Sequence, residues 1–189
     1  MKQSSKLLVP VINSPKAQLS LAYATKNNFT GQPVYKNAIC FLHEEAARRL
    51  YAAIELIKPL ELSFKIWDTY RPLAAQRKLF EHTPDPTYIS SPDTGLCTHC
   101  RGIAIDLTLV DKKGNELPMG TPFDDFRSLA HHGNQAIAQE EQRNRLLLAG
   151  IMSVAGFDPY DSEWWHYQLP NVKNYPIIDE TIAKTGIME

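Results

Sequence analysis

One segment near the middle of the chain constrains the fold more than any other. Residues 103–110 form an aliphatic run that a single carboxylate, Asp106, interrupts. Its odd-numbered residues are all isoleucine or leucine, and this period of two predicts a buried strand with those side chains on one face and Asp106 on the other. Because an unpaired carboxylate is costly to bury, the strand needs a cation beside Asp106, and a metal ion meets that need.

Helical and strand patterns surround that strand. Three segments predict helices: residues 42–57, 73–80 and 140–155. Two more predict strands: residues 62–66 and 164–169. Residues 83–96 contain three prolines and predict a loop long enough to cover a site. Helices interspersed with short strands indicate a single α+β domain, with a small, mainly antiparallel sheet flanked by helices.

Length and charge limit the class of protein. The chain has 189 residues and no linker or repeat, so we expect one domain, 1–189, with its motifs within about residues 20–170. A formal charge of -1 excludes a basic field for nucleic acid. The apolar segment 7–12 is too short for a signal peptide, and no run approaches the roughly 18 residues of a membrane span. We expect a cytoplasmic protein, or a periplasmic one if a leader was removed, without nucleic-acid or membrane partners.

Two histidines complete a metal-ligand set with Asp106. His99 lies seven residues before it, and His166 lies in the predicted strand 164–169. Two imidazoles and one carboxylate can hold Zn²⁺ and leave the fourth position for a water whose pKa falls to about 7. A structural histidine is the commoner case for either residue alone, but the combination favours one catalytic zinc ion per chain.

Two further residues supply the groups that a hydrolase needs. Glu163, three residues before His166, is placed to act as the general base, and Arg71 to stabilise an oxyanion. Arg71 could instead pair with Asp68 in a surface salt bridge. Residues three apart face opposite sides of a regular strand, so we expect Glu163 in a turn before the strand, formed with residues 158–162.

The motifs resemble those of a known family in kind and in order. Residues 67–72 (W-D-T-Y-R-P), 98–106 (T-H-C-R-G-I-A-I-D) and 163–166 (E-W-W-H) are similar to motifs of VanX-type D-alanyl-D-alanine dipeptidases, and residues 23–31 and 118–124 extend the likeness. The resemblance implies the fold shared by hedgehog signalling domains and peptidoglycan DD-peptidases. It also implies that the protein hydrolyses a small substrate, the dipeptide D-Ala-D-Ala, to free D-alanine in a zinc-dependent reaction.

The same resemblance implies the substrate-binding residues. Tyr23 and Asp124 are expected to hold the ammonium group of the dipeptide. Cys97 stands where the family has a serine that helps hold the C-terminal carboxylate, while Thr98 keeps a hydroxyl. Cys97 and Cys100 also form a C-x-x-C pattern, which is compatible with a redox pair; a Cys₄ zinc site is excluded because the chain has only three cysteines.

Two other functions would use similar residues. A peptidoglycan D,D-carboxypeptidase or endopeptidase would apply the same metal chemistry to a longer stem peptide. A zinc-bearing binding module needs neither a base nor an oxyanion partner, so Glu163 and Arg71 favour an enzyme. The sequence leaves open the preferred second residue of the dipeptide, the oligomeric state, and the biological role: glycopeptide resistance, wall recycling or D-alanine scavenging.

Overall fold

A five-stranded sheet forms the centre of the computed structural model, which describes residues 7–189. The first six residues of the predicted domain lie outside this range. The described strands, in chain order, are β1 (Leu8–Pro10), β2 (Ala17–Leu19), β3 (Phe41–His43), β4 (Ser63–Asp68), β5 (Ala104–Val110), β6 (Asp158–Tyr160) and β7 (Glu163–Gln168). The described α-helices are α1 (Glu44–Ile57), α2 (Leu73–His82), α3 (Gln139–Val154) and α4 (Glu180–Ala183).

The order of strands across this sheet is β2-β4-β5-β7-β6, and β1 pairs separately with β3. Only β2 and β4 run parallel in the large sheet; its other neighbours are antiparallel. The predicted α+β class with a mainly antiparallel sheet is therefore confirmed. No helix within residues 7–189 combines the length and apolar character needed to cross a membrane.

Strand β5 lies in the middle of the sheet, and all seven of its residues are buried. Its aliphatic row joins the main core, which also contains the buried faces of α1 and α3. Asp106 lies on the other face, directly opposite His166 of β7 and next to Asp68 at the end of β4. The ladder thus gathers polar groups from three neighbouring strands on the face away from α1 and α3.

Helices α1, α2 and α3 match the predicted segments except at their ends, and α4 was not predicted. Helix α1 begins at Glu44 instead of residue 42 because Phe41–His43 pair with β1. The Nδ1 atom of His43 accepts a hydrogen bond from the backbone N–H of Glu45, which caps the helix. Helix α2 runs two residues further than predicted, and α3 lies one residue earlier at both ends.

Candidate active site

Three side chains that could hold a metal ion meet on the polar face of the sheet. His99 comes from a short 3₁₀ turn, and Asp106 and His166 are cross-strand partners on β5 and β7. The Nε2 atom of His99 lies 3.2 Å from Nδ1 of His166 and 3.3 Å from Oδ2 of Asp106. The third separation, from His166 Nδ1 to Asp106 Oδ1, is 3.0 Å. The predicted ligand set is thus brought together, and all three residues are buried.

The far side of each imidazole ring is fixed by an acceptor. Nδ1 of His99 lies 2.7 Å from the carbonyl oxygen of Thr69, and Nε2 of His166 lies 3.1 Å from Oε1 of Gln168. Neither oxygen can donate, so these ring nitrogens carry the protons. The opposite nitrogens, Nε2 of His99 and Nδ1 of His166, then present lone pairs toward Asp106.

The converging lone pairs fit a metal ion. Two unprotonated ring nitrogens and one carboxylate repel each other at about 3 Å unless a cation lies between them. A tetrahedral ion with bonds of about 2.0–2.1 Å separates its ligands by roughly 3.3 Å, close to the spacing of this group. Burial alone would raise the pKa of Asp106, but in the metal-free site imidazolium charge on His99 and His166 lowers it well below its usual value, so the carboxylate stays charged whether a proton or a metal ion faces it.

Glu163 lies beside the ligand group, but its place in the fold differs from the prediction. It is the first residue of β7, and the turn before it contains only residues 161–162, because 158–160 form β6. The register between these strands shifts after Pro159, so that Tyr160 pairs with Glu163. This irregularity brings Oε2 of Glu163 to 3.8 Å from His166 Nδ1, although the two residues are three apart. Burial raises the pKa of Glu163 to about 7.

Arg71 is paired with Asp68, yet the pair is not at the surface. Nε and Nη2 of Arg71 lie 2.9 and 2.8 Å from Oδ2 of Asp68, and both side chains are buried. Tyr35 donates to the other oxygen of Asp68 at 2.7 Å. The guanidinium also lies over the ring of Tyr23, 4.9 Å from its centroid. Burial opposes the charge of Arg71, but Asp68 raises its pKa well above the usual value.

Tyr23 and Asp124 meet across 101 residues of chain. The Tyr23 hydroxyl donates to Oδ1 of Asp124 at 3.0 Å. Asp124 adopts a left-handed backbone, with φ of 60°, in the loop between β5 and α3. Burial, followed by the charge of Asp106, raises the pKa of Asp124 to about 7. A cationic ligand would compensate the negative charge of the Asp124 carboxylate and so lower its pKa.

Cys97 and Cys100 form a disulfide that brackets His99. The backbone N–H of Cys100 also donates to Sγ of Cys97 at 3.1 Å, so the sulfur sits where a capping acceptor would for the 3₁₀ turn. Thr98 lies between them, with its hydroxyl 3.5 Å from Nε2 of His166. The C-x-x-C pair is thus closed on itself and offers no thiolate to a metal.

One cavity of about 410 Å³ joins all nine residues predicted for the site. They are Tyr23, Arg71, Cys97, Thr98, His99, Asp106, Asp124, Glu163 and His166. Sequence reasoning missed Gln76 and Gln168, which also line the cavity and bond to Arg71 and His166. Gln168 follows His166 at the spacing of one strand face, and this signal could have found it. His131 and His132 are not part of its lining.

Known proteins with similar sequences identify the family of the chain. The sequence profile described as D-Ala-D-Ala dipeptidase matches residues 5–185. A D-alanyl-D-alanine dipeptidase of Escherichia coli (strain K12) is 39% identical over 183 residues, which cover 97% of this chain and 94% of that protein. One from Enterococcus faecium is 36% identical over 168 residues, or 78% of this chain and 83% of that protein. The chain therefore belongs to the D-Ala-D-Ala dipeptidase family.

Proposed function

We propose that this protein is a zinc dipeptidase that hydrolyses D-Ala-D-Ala to two molecules of D-alanine. The observation that carries the proposal is one cavity in which the three groups that could hold a metal ion meet two half-buried carboxyls and a buried arginine. Family membership supports the substrate, and His99, Asp106 and His166 are the proposed ligands of one Zn²⁺. When bound there, Zn²⁺ would supply Lewis acidity and a water of pKa near 7.

Glu163 is the proposed general base. Its carboxyl lies within 4 Å of His166 and has a pKa of about 7, close to the value at which a base works best in neutral solution. As a carboxylate it accepts the proton of the attacking water, and it then returns that proton to the leaving amine. One carboxyl group beside the proposed metal ligands is therefore sufficient for both proton transfers.

Arg71 is the proposed oxyanion partner. A guanidinium has five N–H groups. Nε donates to Asp68 and Nη1 donates to Gln76 at 2.7 Å, while Nη2 lies in ion-pair contact with Asp68, so the second N–H of Nη1 and one N–H of Nη2 remain. These two donors can stabilise the negative charge that develops on the carbonyl oxygen in the transition state.

Two places in the cavity suit the two ends of a free dipeptide. Asp124, with Tyr23 bonded to it, is the proposed acceptor of the substrate's ammonium group, because that cation would compensate a partly buried carboxylate. For the C-terminal carboxylate we propose Thr98 as a donor. Cys97 lines the same wall but has no hydrogen to donate once it is in the disulfide.

Substrate length provides the test. We would measure kcat/KM for D-Ala-D-Ala, N-acetyl-D-Ala-D-Ala, D-Ala-D-lactate and a stem pentapeptide, with wild type, Asp124→Ala and the neighbouring control Asp125→Ala. Leaving a buried charge without its partner costs about 2–5 kcal/mol, so the acetylated dipeptide and the pentapeptide should be poorer by at least about tenfold. Asp124→Ala should lose this discrimination, and Asp125→Ala should keep it.

The other outcomes identify the alternatives. Equal cleavage of pentapeptide and dipeptide by wild type would replace the dipeptidase with a D,D-carboxypeptidase. Tight binding of the dipeptide without cleavage, in protein loaded with zinc, would indicate a binding module.

A further inference from the structure

Gln76 is a buried amide in the wall of the cavity that makes hydrogen bonds through both its oxygen and its nitrogen. It lies in the first turns of α2 and is only 1% exposed. Its Oε1 atom accepts from Nη1 of Arg71 at 2.7 Å, and its Nε2 atom donates to the carbonyl oxygen of Ser90 at 2.7 Å. One side chain thus joins the proposed oxyanion partner to the loop at residues 83–96.

That loop forms a large part of the cavity wall but has no helix or strand of its own. Ile89 anchors it in a satellite core, and Arg101 donates to the carbonyl oxygen of Gly95. A third side-chain link, from Arg77 to Asp93 at 3.4 Å, is exposed. Of these four contacts, the hydrogen bond from Gln76 to Ser90 is the one whose side chain also bonds to Arg71.

The contact with Asp68 does not fix the direction of Arg71 by itself. Nε and Nη2 of Arg71 both approach the same oxygen, Oδ2 of Asp68. With a single acceptor atom, the guanidinium can still rotate about that contact. The bond from Nη1 to Gln76 supplies a second fixed point on the other side of the group, and two points define where the remaining donors aim.

We propose that Gln76 is a positioning residue of the reaction: it aims the free donors of Arg71 at the oxyanion and makes that aim depend on the placement of Ser90 in the loop. The inference rests on the proposed function, in which Arg71 acts in the transition state. Donors that are held in place before the reaction stabilise charge without reorganisation, so loss of Gln76 should lower kcat more than it changes KM.

A double-mutant cycle tests the proposal with D-Ala-D-Ala as substrate. Gln76→Met has a similar shape but neither accepts from Arg71 nor donates to Ser90, and it should lower kcat about 10- to 100-fold with KM within about threefold. In the Arg71→Ala background the same substitution should lower kcat no further, because Gln76 acts through Arg71. A purely structural role would give losses that multiply.

Gln76→Glu separates the two bonds. Its carboxylate still accepts from Arg71 but cannot donate to Ser90, so kcat should recover part of the loss seen in Gln76→Met. Deuterium uptake by residues 83–96 should rise in both variants, and this readout does not depend on turnover. Arg77→Ala, which breaks the exposed link to Asp93 from the same helix, is the matched control and should leave kcat and KM unchanged.

The possible failures are distinct. If wild type does not cleave the dipeptide, both the proposed function and the role of Gln76 fall. If wild type cleaves it and Gln76→Met keeps its kcat, or if the losses in Gln76→Met and Arg71→Ala multiply, only the role of Gln76 is overturned. Zinc content and the thermal unfolding midpoint, measured for each variant, identify a misfolded one; Gln76→Glu then replaces Gln76→Met in the cycle and should again add nothing to Arg71→Ala.

Discussion

The two ends of the cavity are built in different ways. At one end, Asp106 and His166 lie opposite each other in a ladder between central strands, and the third proposed ligand, His99, is bonded to the backbone of Thr69. At the other end, Tyr23 and Asp124 come from a short 3₁₀ turn and a loop, and no strand joins them. We call these the sheet end and the loop end.

Side chains, not a ladder, hold the loop end in place. Arg145 of α3, which is 3% exposed, donates to the carbonyl oxygens of Met119, Leu129 and His131. These three carbonyls lie on both sides of Asp124 in the chain. The loop end can therefore change with a few side chains, whereas the sheet end cannot change without the core. The proposed chemistry thus lies on strands of the central sheet, and the proposed recognition of the ammonium group lies on a turn and a loop, the kind of segment that varies most readily.

The largest expected effect comes from breaking the sheet end. Wild type should contain one zinc ion per chain by elemental analysis. The double variant His99→Ala/His166→Ala should contain none and should have no measurable activity, because one carboxylate cannot hold the ion alone. His132→Ala removes a histidine outside the cavity and should keep both properties. Full zinc in the double variant would show that the site lies elsewhere.

The next effect separates the base from the ligands. Glu163→Gln keeps the shape of the side chain but cannot take a proton, so kcat should fall by roughly 10²–10⁴ while the zinc content stays at one. Asp161→Asn, an exposed change in the same hairpin, is the control and should leave kcat unchanged. A near-normal kcat in Glu163→Gln would remove this residue from the mechanism.

Arg71 lies between the two ends, and its loss should be somewhat smaller. Arg71→Ala should reduce kcat by roughly 10²–10³, as for one oxyanion donor, and should change KM much less. Arg71→Lys keeps the charge without the planar fork and should recover only part of the loss. An effect on KM alone would make Arg71 a clamp for the substrate carboxylate instead.

The smallest effect concerns the loop end and stability. Asp124 has a pKa of about 7 in the fold, against an ordinary value of 3.8. The folded state therefore binds more protons between these values, and the free energy of unfolding falls as the pH rises from about 4 through 7. In metal-free protein, urea denaturation at several pH values should show a flatter fall for Asp124→Asn. The flattening is partial because Glu163, also with a pKa of about 7, contributes in the same direction.

Asp125→Asn is the control for this pH effect. The hydrogen bond from Arg127 lowers the pKa of Asp125, so its contribution to stability is present above the ordinary value and is lost only in more acidic solution. This variant should keep the fall between pH 4 and 7. If Asp124→Asn behaves in the same way, the carboxyl of Asp124 is not desolvated in the folded protein.

The sheet end was more predictable from sequence than the loop end. Asp106 was recognisable because a carboxylate within an aliphatic strand needs a partner, and His99 and His166 supply the other ligand types that zinc prefers. Tyr23 and Asp124 had no comparable signal, since they are 101 residues apart and meet only in the folded chain. Only resemblance to a family pointed to them.

Each error has a physical cause. The prediction for Glu163 assumed a regular strand, whereas the register shift after Pro159 lets strand residues three apart face one site. The early start predicted for α1 failed because the pairing of Phe41–His43 depends on β1, which is far away in sequence. The hydrogen bonds of Gln76 depend on the position of Arg71 and on the path of the loop at residues 83–96. The residues around Gln76 in the sequence predict neither of these.

The direct pairing of Asp106 with His166 links metal binding to correct folding. Side chains alternate along a strand, so a slip of one residue between β5 and β7 would place Asp106 and His166 on opposite faces of the sheet. Such a misaligned chain could not bind zinc at this site. A ligand that binds only the correct alignment stabilises it in proportion to the logarithm of its own concentration. Zinc binding would thus favour the correct register of the central strands, in addition to its proposed part in the reaction.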